Sequence, residues 1–183
     1  MIKCALMDDL SSLITRAQGG DHDAYGQIYT LFYKRIFRFC KFNTGSDVIA
    51  QDICQETFLK AWKALPNFSQ KGGSLQAYLF KIARNLIIDL SRKKREERLK
   101  PYHDIETNDD LEKNVERQED VAKIRNALVE LDEKDRQIVI LRYFEEMTTY
   151  EAAKIVGIRE GNLRVRTHRI LKKLKEIIQI QND

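Results

Sequence analysis

The sequence has little that interrupts a helix: only two prolines and eight glycines occur among its 183 residues. Because proline breaks helix interiors and glycine weakens them, this scarcity predicts an all-α protein with short connections. No apolar run approaches the ~20 residues that a membrane-spanning helix needs, and the N-terminus lacks a signal-peptide pattern. The three cysteines are scattered and odd in number, so we expect reduced thiols and a cytoplasmic protein.

Recognisable patterns of catalysis are missing as well. His22, His103 and His168 lie far apart, and none forms a metal-binding pair with a second His or Cys. Gly72-Gly73 lacks the Lys-Ser or Lys-Thr that follows in phosphate-binding loops, and no serine or cysteine lies in a nucleophile elbow. The sequence therefore predicts no catalytic residue, no metal and no cofactor.

The segment from Thr148 to Lys175 instead predicts two helices joined by a tight turn. Thr148 and Glu151 have the spacing of a capping box, and Gly157 stands where a helix ends in the left-handed conformation. Ala153 is small enough for a second helix to cross closely. This pattern is typical of a helix-turn-helix, a motif that places its second helix in the DNA major groove.

The second helix of this motif, which starts near Arg159, is strongly basic. From Lys154 to Lys175 there are eight lysines and arginines against one acid, Glu160. Apolar spacing predicts its inner stripe at Leu163, Ile170, Leu171, Leu174, Ile177 and Ile178. On the outer side of this helix we predict a DNA contact surface that consists of Asn162, Arg164, Val165, Arg166, Arg169, Lys172 and Lys173. The alternative is an ordinary helical hairpin whose basic face is merely solvated.

Capping residues and turn glycines divide the N-terminal half into four helices. Gly19-Gly20 ends the first helix, and Asp21, Ser46 and Ser74 are N-cap candidates for the next three. The predicted spans are 8–17, 21 to about 42, 46 to just before Pro66, and 74 to the basic residues 92–95. A buried stripe is predicted at Ala24, Ile28, Phe32, Ile36, Phe39 and Cys40 of the second helix, and the fourth helix is predicted to run through Tyr78, Ile82, Leu86 and Leu90.

Residues 96–120 differ from both flanks, since ten acids stand against four bases and apolar residues are few. We therefore expect an acidic linker between two small helical domains, which cover residues 1–95 and 121–183. In the second domain, Asp132 together with Asp135 predicts the cap of a further helix that precedes the helix-turn-helix.

One face of the third helix combines acids with a leucine. Asp52, Gln55, Glu56 and Leu59 follow one another at i, i+3, i+4 and i+7. The spacing by itself favours a solvated acidic face. The alternative is a docking site for a protein partner, with Leu59 as its apolar anchor.

A second candidate surface combines an aromatic loop residue with a basic helix. Phe68 precedes the fourth helix, whose polar side carries Arg84, Asn85, Asp89 and Arg92. An aromatic ring and an amide beside cationic side chains suit an unstacked base of a single strand. Phe68 could equally cap the core, and the sequence leaves both roles open.

Together these segments resemble the extracytoplasmic-function (ECF) sigma factors of bacterial RNA polymerase. The run from Asp52 to Trp62, DICQETFLKAW, resembles region 2.2, which in that family grips the clamp helices of the polymerase β′ subunit. Residues 68–74, with 78–85 and Asp89, resemble regions 2.3 and 2.4, which melt and read the −10 promoter element. Residues 148–174 resemble region 4.2, which reads the −35 element.

The resemblance implies a promoter-specificity factor without catalytic activity. Its implied partners are the β′ clamp helices of core polymerase, promoter DNA and an anti-sigma factor. Polymerase contact would then belong to Asp52, Gln55, Glu56 and Leu59, −10 recognition to Phe68, Arg84, Asn85, Asp89 and Arg92, and −35 recognition to the outer side of the last helix.

Three residues depart from the family pattern. Tyr78 stands where Trp is common, Arg159 stands where Ser or Thr usually caps the recognition helix, and Val165 occupies a commonly polar position. At Val165, base preference would arise through an apolar contact such as that with a thymine methyl. The alternative from another class is a stand-alone helix-turn-helix regulator that binds duplex DNA as a dimer, with the N-terminal helices as its dimer or sensor module.

Overall fold

The computed structural model describes residues 2–69, 73–98, 124 and 126–180, with side chains described for 10–69, 73–93, 124 and 126–179. Within these ranges the chain is helical and contains no strand, so the predicted all-α class is confirmed. The α-helices run as α1 Ile2–Gln18, α2 His22–Thr44, α3 Asp47–Ala64, α4 Leu75–Arg98, α5 Glu133–Val139, α6 Thr149–Val156 and α7 Glu160–Ile180. A 3-10 turn, Leu65–Asn67, follows α3, and a π-helical turn, Ile140–Phe144, follows α5.

The helix starts in the N-terminal domain lie at the predicted capping residues. The side-chain oxygens of Asp21, Ser46 and Ser74 each accept a hydrogen bond from the amide three residues further on, at 3.0, 3.4 and 3.2 Å. These bonds satisfy amides that otherwise lack a partner at a helix N-terminus. At the other end of α2, Gly45 adopts the left-handed conformation with φ 72°. Local sequence thus determines where α2, α3 and α4 begin.

The core of this domain forms where α2, α3 and α4 meet. The six residues predicted as the stripe of α2 are all buried. In α4, Tyr78, Ile82, Leu86 and Leu90 are half-buried and pack against the core. Among the side chains of α4 that the structure describes, the buried ones are Leu75, Leu79, Phe80, Ala83 and Ile87. Helix α4 packs against α2 and α3 on one side and against α6 on another. Its buried residues therefore cover more of the helix circumference than a single apolar stripe does.

The C-terminal domain contains helical residues 124 and 126–129, followed by α5, α6 and α7. Asp132 caps α5 as predicted, accepting a 2.8 Å hydrogen bond from the amide of Asp135. Arg136 joins α5 to the preceding helical segment and to the turn that follows it, since its guanidinium donates to three carbonyls of residues 128–131. Burial lowers the pKa of this guanidinium. The acceptors are the carbonyl oxygens of Leu128, Val129 and Leu131, at 2.8, 3.0 and 3.0 Å.

The two domains pack directly against each other. Helices α2 and α4 of the first domain contact α5 and α6 of the second. The rings of Phe42 and Phe144 meet across this boundary with centroids 5.3 Å apart. Of the predicted linker, residues 96–98 continue α4, and residues 99–120 lie outside the described residues.

Cys40 and Cys54 are free and buried between the N-terminal helices. Burial raises the pKa of Cys54 to about 12 and raises that of Cys40 as well, so both thiols are protonated and act as packing groups. Among the residues that the structure describes, no helix has the length and apolar character to cross a membrane.

Candidate nucleic-acid and protein interfaces

The helix-turn-helix has the local geometry that its sequence predicts. The hydroxyl of Thr148 accepts from the amide of Glu151 at 3.2 Å, and the Glu151 carboxylate accepts from the amide of Thr148 at 3.0 Å. Gly157 ends α6 with φ 74°, and its amide donates to the carbonyl of Ala153 at 2.9 Å. The apolar residues Ala152, Ala153, Ile155 and Val156 of α6 and Leu163 and Ile170 of α7 are all buried. The capping box and the turn are therefore confirmed.

The outer side of α7 is an exposed basic surface. Val165 lies within it with 54% of its surface exposed. Arg164 makes a 2.7 Å salt bridge with Glu160, but such an exposed i, i+4 pair is worth only about 0.3–0.5 kcal/mol. Arg164 can therefore leave Glu160 and bind a DNA phosphate or a base edge instead. The other predicted contact residues on this surface, all exposed, are Asn162, Arg169, Lys172 and Lys173.

Arg166 differs from its neighbours on α7, because it already has partners within the domain. Its Nε donates to the carboxylate of Asp135, and its Nη2 lies 3.0 Å from Asp132 Oδ2. The hydrogen bond to Asp135 raises the pKa of Arg166. The side chain therefore ties α7 to the start of α5, and a DNA contact by Arg166 stays a prediction. Sequence spacing could not reveal this role, because the partners lie 31 and 34 residues away.

We expect alanine at Arg166 to lower stability more than alanine at Arg164. Hydrogen bonds to charged groups contribute about 1.5–3 kcal/mol, and partial exposure places Arg166 at or below the lower end. Arg164, whose partner is a solvent-exposed glutamate, is the matched control and should change the free energy of unfolding by less than about 0.5 kcal/mol. Urea denaturation of both variants measures the difference. Equal unfolding midpoints would contradict the structural role of Arg166.

Phe68 lies between the core and the solvent. Its ring is half-buried, with its centroid 5.3 Å from that of Tyr78. Its carbonyl accepts a 2.7 Å hydrogen bond from Gln18 Nε2, which also donates to the carbonyl of Leu65 at 3.1 Å. The backbone at Phe68 is therefore attached to α1, while part of the ring remains accessible to a ligand.

The polar side of α4 divides into an exposed part and a half-buried part. Asn85, Asp89 and Arg92 are exposed. Arg84 is half-buried, and its Nε donates a 2.8 Å hydrogen bond to Gln137 Oε1 of the C-terminal domain. Burial lowers the pKa of the Arg84 guanidinium. Four predicted −10 residues thus lie on one helix, but one of them, Arg84, is hydrogen-bonded to the other domain.

The predicted docking face on α3 is exposed and rigidly supported. Leu59 has 47% of its surface exposed beside Asp52 and Gln55, which are exposed, and Glu56, which is half-buried. On the opposite side of α3, Phe58 is buried, and its carbonyl accepts a 2.5 Å hydrogen bond from the hydroxyl of Tyr25. The ring of Trp62 packs against the rings of His22 and Tyr25, with centroids 5.0 and 4.6 Å apart.

An apolar groove in the C-terminal domain was not predicted. Leu171, assigned to the inner stripe of α7, is 41% exposed and lines this groove of about 480 Å³. The opposite wall is formed by Ile124, Ala127 and Leu128. The apolar stripe of α7 is therefore wider than the part of it that neighbouring residues cover, and Leu171 remains exposed.

Comparison with known proteins decides the family. Residues 28–97 match the profile of Sigma-70 region 2, and residues 122–174 match that of Sigma-70 region 4. The RNA polymerase sigma factor NccH of Alcaligenes xylosoxydans xylosoxydans is 30% identical over 175 residues, which are 92% of this chain and 94% of NccH. The ECF RNA polymerase sigma factor BldN of Streptomyces coelicolor is 29% identical over 178 residues, which are 92% of this chain and 66% of BldN. The chain belongs to the ECF sigma factors.

The fold of this sigma factor is shared with a solved relative. RpoE of Bartonella quintana, solved in a co-crystal with the anti-sigma factor NepR, superimposes with a TM-score of 0.68 at 23% sequence identity. The match covers 85% of this chain and 97% of RpoE. The segment that matches region 4 contains α6 and residues 160–174 of α7, and the segment that matches region 2 contains α3 and residues 75–97 of α4.

Proposed function

We propose that this sigma factor directs core RNA polymerase to specific promoters and has no catalytic activity of its own. Its N-terminal domain, residues 1–95, docks on the clamp helices of the β′ subunit and captures the melted −10 strand. Its C-terminal domain, residues 121–183, places α7 in the −35 major groove. The acidic linker, residues 96–120, connects the two. The protein acts in the cytoplasm, where polymerase and promoter DNA are found.

The observation that carries this proposal is the combination of two exposed surfaces in one chain. The outer side of α7 offers cations and Asn162 to DNA, while Leu59 lies exposed among acids on α3. A stand-alone DNA-binding regulator has no need of an exposed leucine on a helix that is rigidly supported from behind. A polymerase subunit needs both surfaces.

We also propose an anti-sigma factor as a partner. RpoE of Bartonella quintana, which shares this fold, was solved with one. Such a partner would regulate the factor by competing for its polymerase or promoter surfaces.

Run-off transcription tests the central proposal. Core polymerase with the purified protein should transcribe a subset of genomic fragments that core polymerase alone leaves silent. Co-purification with core enzyme separates a sigma factor from a stand-alone regulator, because only the former binds polymerase without DNA. Transcription that is independent of the added protein, together with no association with core enzyme, would overturn the proposal in favour of the regulator.

We expect Phe68→Leu to slow open-complex formation while Phe68→Tyr does not. Leucine keeps most of the apolar packing against Tyr78 but removes the aromatic face, and stacking on an aromatic ring is worth about 1–3 kcal/mol per base. Asn85→Ala should act in the same direction, since Asn85 is exposed and its loss leaves the fold intact. Permanganate footprinting of the −10 strand measures melting. Normal melting by Phe68→Leu would assign Phe68 to the core instead.

A further inference from the structure

In the first two turns of α7, the centre of the outer side carries neither a charge nor a hydrogen-bonding side chain. Gly161 and Val165 lie there, four residues apart and therefore on one face of the helix. Leu163 and Ile170, which are buried in the domain, lie on the opposite face. Gly161 and Val165 are both exposed. The basic surface of α7 therefore has an apolar centre.

The fold does not require a glycine at position 161. Gly161 lies inside α7 without a left-handed backbone, and a Cβ atom at this position would have no atom of the described residues within 4 Å. Most other residues are more favourable than glycine inside a helix. At a helix surface, glycine instead allows a ligand to approach the backbone closely. Gly161 thus leaves room for an external partner beside the backbone of α7.

Val165 lies one turn further along α7, beside this open space. Its isopropyl group and the missing side chain of Gly161 together form a shallow apolar recess. By helical spacing, Asn162 and Arg169 lie on one side of the recess and Arg164 lies on the other, and all three are exposed. A polar group placed in the recess would lose its hydrogen bonds to water without a replacement. The recess therefore favours an apolar ligand between groups that bind polar and charged parts of DNA.

The C5-methyl group of a pyrimidine is the ligand of matching chemistry in duplex DNA. In the major groove thymine presents this methyl group, whereas the other bases present hydrogen-bond donors and acceptors. Recognition helices contact base edges with their N-terminal residues, and Gly161 and Val165 are the second and sixth residues of α7. The modified base 5-methylcytosine carries the same methyl group on the same ring carbon, where cytosine and uracil carry a hydrogen.

We infer that Gly161 and Val165 form a methyl-reading recess, whose ligand is the C5-methyl group of a thymine or a 5-methylcytosine in duplex DNA. The inference rests on the proposed function, because the recess reaches a base only when α7 lies in the −35 major groove. It goes beyond that function in naming the chemical group that is read. Methylation of a cytosine at the contacted position therefore strengthens promoter binding, although the base sequence is unchanged.

Base analogues test the inference with holoenzyme assembled from core polymerase and the full-length protein. The probe is a promoter duplex found by run-off transcription, in which each thymine of the −35 segment is replaced in turn by uracil. At the position that contacts Val165, the replacement should weaken binding about fourfold, the expected effect of one buried methyl group. At the same position, 5-methylcytosine should bind about fourfold more tightly than cytosine when each is paired with guanine. Titration of fluorescent duplexes measures both affinity ratios.

Val165→Ser should bring both affinity ratios close to one. Serine has no methyl group, and its helix propensity is similar to that of valine. Val129→Ser is the matched control, because Val129 lies in the same domain outside α7 and has 60% of its surface exposed. It should leave both ratios at their wild-type values.

Gly161→Gln should also abolish the preference for the methyl group, because the longer side chain fills the recess. The Tm should rise, since glutamine favours a helix more than glycine does. Gly26→Gln is its control: Gly26 is an exposed glycine of α2, and a Cβ atom there would also have no described atom within 4 Å. This control should raise the Tm without changing either affinity ratio.

Affinity ratios of one for the wild-type protein at every −35 thymine would overturn the inference. Wild-type ratios in Val165→Ser or Gly161→Gln, or an equal loss in their controls, would overturn it as well. So would equal binding of cytosine and 5-methylcytosine at a uracil-sensitive position, because another atom of thymine would then be read. A wild-type holoenzyme that binds no promoter duplex would overturn the proposed function together with the inference, whereas promoter binding that ignores the methyl group contradicts the inference alone.

Discussion

Replacing Leu59 by Asp is expected to abolish binding to core polymerase while the C-terminal domain keeps its DNA affinity. Leu59 is the exposed apolar residue of the α3 face, and truncating a hot-spot residue of an interface costs at least about 2 kcal/mol. Affinity for core enzyme should therefore fall by roughly 30-fold or more. Asp52→Lys together with Glu56→Lys should have a comparable effect, since like charges placed against the partner also slow association. Titration of labelled core enzyme measures both.

Leu31→Asp is the matched control for the docking experiment. Leu31 lies on α2 in the same domain and has 49% of its surface exposed, close to the value for Leu59. The substitution introduces the same charge at a comparably exposed leucine outside the predicted face. Circular dichroism of both variants checks that helicity is intact. Equal affinity of Leu59→Asp and Leu31→Asp for core enzyme would contradict the assignment of the docking face to α3. It would favour the stand-alone regulator instead.

Alanine at both Arg164 and Arg169 is expected to remove most of the discrimination at the −35 element. Each bidentate arginine contact to a base contributes about 1–3 kcal/mol of discrimination, so the double variant should lose roughly 30-fold or more in preference for a promoter over random DNA. The residues are exposed on α7, so their removal should leave the helix-turn-helix folded. Competition binding to a promoter found by run-off transcription measures the preference.

Lys172→Ala with Lys173→Ala is the contrast for the arginine variant. Both lysines are exposed further along α7 and are predicted to bind phosphates. Their loss should weaken binding to all sequences and reduce its salt dependence, with no change in preference. An arginine variant that behaves like this lysine variant would show that α7 binds DNA without reading the −35 sequence.

The features that the sequence determined by itself are local ones. The caps at Asp21, Ser46, Ser74 and Asp132, and the Thr148–Glu151 capping box, involve atoms no more than three residues apart. Hydrogen bonds of this kind form with little dependence on the rest of the chain. The six-residue stripe of α2 was also predictable, because one wide apolar face was turned towards a single core.

Only the tertiary structure decided which polar side chains bind partners from distant parts of the chain. Arg166 belongs to the same basic run as Arg164, yet carboxylates 31 and 34 residues away occupy it. Arg84 meets Gln137 across 53 residues, and Glu145 meets Arg35 and Arg38 across 110 and 107. The burial of α4 also depends on distant contacts, because α6 packs against it from the other domain. Helical periodicity describes one helix at a time, whereas these contacts depend on which distant helices pack together.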